Sequence, residues 1–160
     1  MNRGGWFRRR IVIPILDLLR EGITPEKIAL SVALGFTLGV TPVLGSTSLL
    51  CLFAAALLRL NHPAIQLVNY CVYPLQFVLL VPFIRVGEWI LSAPPVRITA
   101  GEIVSLIRAD VWTAIATLWT ATMHALMAWL LLGSVASLVI YALLVPLLRR
   151  VSNSLPARSQ

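Results

Sequence analysis

Between Lys27 and Arg59 the chain carries no charged residue, yet the middle of this apolar run reads Gly39-Val40-Thr41-Pro42-Val43-Leu44-Gly45-Ser46-Thr47-Ser48. A helix cannot pass such a stretch unchanged, because proline lacks the amide that continues the ladder and glycine releases the backbone. In a bilayer the freed backbone groups must be covered by protein or by a water-filled cavity. The run therefore predicts two half-helices, residues 25–40 and 46–59, joined at Thr41–Gly45. Membrane proteins place breaks of this kind at binding or conduction sites.

Composition supports the membrane setting. Hydrophobic residues make up 59% and charged residues 12% of 160, against roughly 25% charged in soluble domains. Mean hydropathy is +0.89. The predicted fold class is an all-α membrane protein: an interfacial amphipathic helix, a re-entrant or broken helical hairpin, then two to four further membrane helices. At about 1.5 Å per residue the two arms reach roughly 24 and 21 Å, short of a ~30 Å hydrocarbon core. That favours a re-entrant hairpin over two full spans.

The expected organisation has five parts. Residues 1–22 form a basic amphipathic surface helix, with Trp6, Phe7, Ile11 and Ile15 towards the acyl chains and Arg8, Arg9 and Arg20 in water. Residues 23–92 form the membrane core, opened by Thr24 as N-cap and Pro25 at the first helical position. Residues 93–110 are a surface connector. Residues 111–148 hold C-terminal membrane helices, 111–132 and 135–148, separated by a turn at Gly133-Ser134. Residues 149–160 form a basic disordered tail.

Charge bears on topology. The net charge is +7, and the excess lies in residues 1–27 and in Arg149, Arg150 and Arg158. Basic flanks of this kind mark cytoplasmic ends and attract anionic headgroups. No separate basic domain exists to hold nucleic acid, so none is expected as partner. If 25–59 returns to its own side and three later blocks each span once, the two basic ends fall on opposite faces. Both can lie inside if 63–92 bends back at Pro74, or if 25–59 crosses once as a broken helix. Charge favours both ends on the cytoplasmic side of a multi-pass arrangement.

Candidate sites follow from residue type and spacing. Thr41, Pro42, Gly45, Ser46 and Thr47 gather hydroxyls and free amides at a positive helix end, which suits a phosphate or carboxylate. Arg59, or Arg85, could draw a lipid headgroup there, although both read more simply as ordinary anchors that snorkel to the interface. The plain reading of the turn is that Ser46 caps the second arm. Ser31, Gly35 and Gly39, four apart, form a small-residue stripe for helix packing. Gln66, Asn69, Tyr73 and Gln76 share one helical face that should point into protein or a wet cavity. Thr113, Thr117, Thr120 and His124 form a third stripe, whose threonines can bond their own helix. Cys51 and Cys71 read as small hydrophobes, and Glu88 offers Arg85 a partner at i+3.

The stretch Glu21-Gly22-Ile23-Thr24-Pro25-Glu26-Lys27-Ile28-Ala29 resembles the opening of the bacterial membrane family DUF2062. The likeness continues through Ala33-Leu34-Gly35, Gly39–Gly45, Leu60-Asn61-His62-Pro63, Tyr73-Pro74-Leu75-Gln76, Pro82 and Gly87, covering about residues 15–92. Many members have Asn-Pro-Leu-Thr where this chain has Tyr73-Pro74-Leu75-Gln76. The family's function is unknown, but some members are fused to glycosyltransferase domains, which implies envelope or lipid-linked sugar chemistry.

No catalytic residue, metal ligand set or cofactor is expected, since no nucleophile–base spacing, carboxylate pair or ligand cluster is present. No carboxylate lies within an apolar block, which argues against a proton- or sodium-driven carrier. Two functional expectations stand. One is a small protein that moves or binds an anionic amphiphile, partnered by membrane lipids and other copies of itself. The other is a non-transporting anchor or scaffold for an envelope-assembly or glycosyl-transfer enzyme.

Overall fold

The computed structural model describes residues 23–43, 45–95 and 110–154. Their regular structure is entirely helical: α1 (Pro25–Gly39), α2 (Thr47–Leu58), α3 (His62–Ile90) and α4 (Val111–Ser154). The expected surface helix of residues 1–22, the connector from 96 to 109 and the tail beyond 154 lie outside the described residues.

Each described start has a local cause. Thr24 Oγ1 accepts from the Lys27 amide at 3.4 Å, with Pro25 beginning the helix. Asn61 Oδ1 accepts from Ala64 N at 2.8 Å, with proline again in the first turn. Asp110 takes the Trp112 amide at 2.9 Å and the Thr113 hydroxyl at 2.6 Å. These side chains satisfy amides that a helix start otherwise leaves bare.

α1 is the central element and packs against the other three helices. Its buried residues, including Ile28, Ala29, Ser31, Ala33, Gly35 and Thr37, point in several directions for that reason. α2 folds back on it, with Cys51 and Ala55 packed among Leu30, Leu34 and Leu38. α4 runs along it in the opposite sense, so that Glu26 meets Arg149 at one end while Thr37 meets Gly133 further along. Outward faces stay apolar. Leu49, Phe53 and Leu57 on α2, Val78 on α3 and Leu138 on α4 are each more than two-thirds exposed. His62–Ile90 and Val111–Asn153 are long and apolar enough to cross a membrane.

Three expectations are corrected. Gly133-Ser134 makes no turn, and residues 111–154 form one 44-residue helix. Gly133 is there for contact: a Cβ at this position would stand 3.0 Å from Thr37 Cγ2 and 3.4 Å from Trp129 Nε1. Ser134 bonds back to Leu130 O, so its hydroxyl joins the ladder instead of ending it. The same helix carries 149–154, which are ordered and not a disordered tail. α3 likewise passes through Pro74 and Pro82 without reversing.

Arg149 Nε donates to Glu26 Oε1 at 2.7 Å, so the start of α1 and the last turns of α4 lie at the same end of the bundle.

Candidate functional site

The break between α1 and α2 lies beside Gln76, the middle residue of α3. Its backbone accounting is nearly complete on the inner side. Val40 N bonds Phe36 O, and Leu38 O accepts from both the amide and the hydroxyl of Thr41. Trp129 Nε1 reaches across from α4 to Thr37 O at 2.8 Å, and Gln76 Nε2 reaches Thr41 O at 2.7 Å. Thr41 and Pro42 are buried. Helix ends buried away from water need such partners.

The outer side differs. Gly45 is exposed at φ +85, and a Cβ there would meet nothing within 4 Å. That left-handed conformation is the physical reason for glycine at the turn. Ser46 does not cap α2, contrary to the plain reading. It has helical dihedrals, and its hydroxyl donates to Val43 O at 2.9 Å. With its cap oxygen turned away, the amides of Thr47, Ser48 and Leu49 find no partner among the described residues.

The amide face of α3, expected to point into protein or a wet cavity, faces the first turn of α2 and the break, except at Tyr73. Gln66 Nε2 donates to Ser48 O at 3.0 Å, and Asn69 Nδ2 donates to Ser48 Oγ and to Gln66 Oε1. Tyr73 turns outward, 39% exposed, and stacks edge-on against Phe77. Asn69 and Gln76 are fully buried, yet Asn69 Oδ1 and Gln76 Oε1 have no hydrogen-bond partner.

Gly35 and Gly39 sit where α1 presses on α3. A Cβ on Gly35 would lie 2.7 Å from Ile65 O, and one on Gly39 would lie 2.4 Å from Val72 Cγ2. Ser31, buried on the same helix, bonds Lys27 O. Arg59 is not brought to the break. It ends α2 in a left-handed conformation, the full helix length away from Thr47, about 18 Å for 12 residues. Arg85 is likewise remote, paired with Glu88 at 2.9 Å.

The threonine stripe stays with its own helix: Thr117 bonds Thr113 O and Thr120 bonds Ala116 O. His124 is buried at the α3–α4 crossing, where a Cβ on Gly87 would stand 1.9 Å from the His124 carbonyl oxygen. Sequence reading did not find that crossing. Nor did it find Trp129, since an indole inside an apolar block looks like any other hydrophobe. Among the described residues no three metal-ligating side chains come together.

The sequence pattern of DUF2062, described as an uncharacterized protein conserved in bacteria, matches residues 9–154. No curated protein matches the chain, and no solved structure does.

Proposed function

Because the chain belongs to the bacterial family DUF2062, we infer that it is an integral protein of the inner membrane whose α1–α2 hairpin re-enters the bilayer from the cytoplasmic side. There it binds, and eases the passage of, an anionic amphiphile. The observation that carries this reading is the open outer side of the break. Gly45 is exposed with free space around it, and behind it the first turn of α2 presents a positive helix end beside Gln66 and Asn69 of α3. Backbone donors facing hydrocarbon without a partner cost several kcal/mol each, so water or headgroup oxygens should gather at the tip. A polar nick among apolar helices lowers the barrier a phosphate headgroup meets on crossing. Such passive movement needs no coupling carboxylate.

The test is reconstitution of the full chain into vesicles doped with fluorescent phosphatidylglycerol, followed by quenching from outside. The reading expects fluorescence to fall past the outer-leaflet half, and expects Ser46→Trp to slow that second phase. A plateau at the outer-leaflet half, with protein shown to be inserted, rejects it.

One observation favours the anchor or scaffold reading instead: the inner side of the break is closed by Gln76 and Trp129, as a passive joint would be. That reading expects the plateau, together with a partner held through the basic ends that Glu26 and Arg149 bring to one side.

A further inference from the structure

α4 is longer than a bilayer is thick. No Asp, Glu, Lys or Arg interrupts residues 111–148. At 1.5 Å per residue that stretch reaches about 57 Å, against a hydrocarbon core of ~30 Å. Part of it must leave the acyl chains, and two contacts decide which part. At one end Arg149 pairs with Glu26. Further along, His124 meets Gly87 of α3. These contacts stand about 37 Å apart along α4, more than the hydrocarbon core and less than the ~40–45 Å that includes both headgroup layers. α3 sets a similar limit. Its uncharged run from residue 63 to 84 reaches about 33 Å, and Arg85 follows with its side chain half exposed.

The first turns of α4 therefore lie past the crossing with Gly87. They are apolar, yet between residues 111 and 120 only Ala114 is buried. Trp112 is 75% exposed and Trp119 65%, and Trp89, just past Gly87 on α3, is 81% exposed. α1 runs with α3, as Gly35 against Ile65 and Gly39 against Val72 show, and runs against α4. The long helices are thus opposed in direction, and the three indoles share the end beyond the crossing. Trp129, on the other side of His124, turns inward to Thr37 O. Among the described residues, exposed leucines and valines occur along the whole bundle, but exposed tryptophans occur only at this end. An indole joins a large apolar body to one N–H donor, which suits the level where hydrocarbon gives way to headgroups.

We propose that Trp89, Trp112 and Trp119 form an interfacial anchor, seated among the headgroups and uppermost acyl carbons of the leaflet opposite the Glu26–Arg149 end. The occupant of this face is lipid. The proposal rests on the membrane reading above and adds to it the level at which the bilayer stops. The neighbouring threonines do not oppose this placement, because Thr113 already donates to Asp110 and Thr120 to Ala116 O.

The test is fluorescence of the full chain in phosphatidylcholine vesicles brominated either near the headgroup or near the chain end. Three variants keep Trp89, Trp112 or Trp119 alone, with phenylalanine at the other tryptophans. A reference carries Leu138→Trp alone, at an exposed position between the two contacts. The proposal expects the three variants to lose more fluorescence to bromines near the headgroup, and Leu138→Trp to lose more to bromines at the chain end. Should the chain fail to fold without Trp129, that residue is kept and its own signal subtracted. Greater loss to chain-end bromines in the three variants would overturn the proposal by placing the indoles in hydrocarbon. No loss to either lipid, with Leu138→Trp still quenched, would overturn it too, since water or a second protein would then cover this end. Leu138→Trp quenched by neither lipid is a distinct result, and would reject the membrane reading together with the anchor.

Discussion

Two glycine crossings hold the bundle together, and they are built on opposite terms. Where α3 crosses α4, Gly87 lets backbone meet the His124 carbonyl, and Phe83, Ile84, Ala121 and Ala125 close the surroundings. Where α1 crosses α3, Gly35 and Gly39 also bring the helices close, against Ile65, Val68 and Val72, but the buried amide of Asn69 stands among them. The first crossing is chiefly apolar packing, with His124 Nδ1 the single side-chain atom there lacking a partner. The second keeps polar atoms beyond what closure of the break requires. In a bilayer, association by apolar burial gains little and close small-residue packing carries the contact. The α3–α4 crossing does only that. The α1–α3 crossing retains a buried side-chain oxygen, Asn69 Oδ1, that has no hydrogen-bond partner among the described residues.

The largest expected effect tests the rigid crossing. Gly87→Ala puts a Cβ against backbone that has no rotamer to change, so a loss of about 3 kcal/mol or more is expected in unfolding by mixed micelles. Gly39→Ala is milder, because its nearest obstacle is a side-chain atom, Val72 Cγ2, and not backbone. About 1–2 kcal/mol is expected, recovered in part by Val72→Ala. A Gly39 variant as damaging as the Gly87 one would erase the contrast. Trp129→Phe leaves Thr37 O without its donor, a loss of about 0.6–2 kcal/mol in the same unfolding measurement.

The smallest effect comes from the end of the bundle. The hydrogen bond from Arg149 holds the exposed Glu26 carboxyl below the ordinary carboxylate range. The folded form therefore binds this proton less readily than the unfolded chain does. The pair's contribution is full above the ordinary carboxylate range and is gone once the pH has fallen through the lowered value. Glu26→Gln should flatten that part of the pH profile and leave neutral-pH stability almost unchanged, as exposed pairs contribute little.

Much of this was legible in the chain itself. Thr24-Pro25 and Asn61-His62-Pro63 announce helix starts because their chemistry is local. The break at Thr41–Gly45 and the amide face of α3 follow from backbone rules and from a period of 3.6. What failed had different causes. Gly133-Ser134 resembles a turn by soluble-protein habit, yet Thr37, far off along the chain, makes it a contact. Arg59 looked near the break because α2 is short in sequence, but 12 helical residues separate as surely as they connect. Tyr73 shares the period of the amide face and still turns outward, since Phe77 offers its ring a neighbour there.

On the proposed reading the tip of the hairpin is wet on its outer side. Its most direct test replaces Cys51 and Cys71 with alanine, places a single cysteine at Ser46, and applies membrane-impermeant thiol reagents to intact and inverted vesicles. The account predicts labelling at Ser46→Cys, faster from the side that carries Glu26 and Arg149. Absence of labelling from both sides, in protein that unfolds cooperatively, would make the break a dry joint and contradict the account.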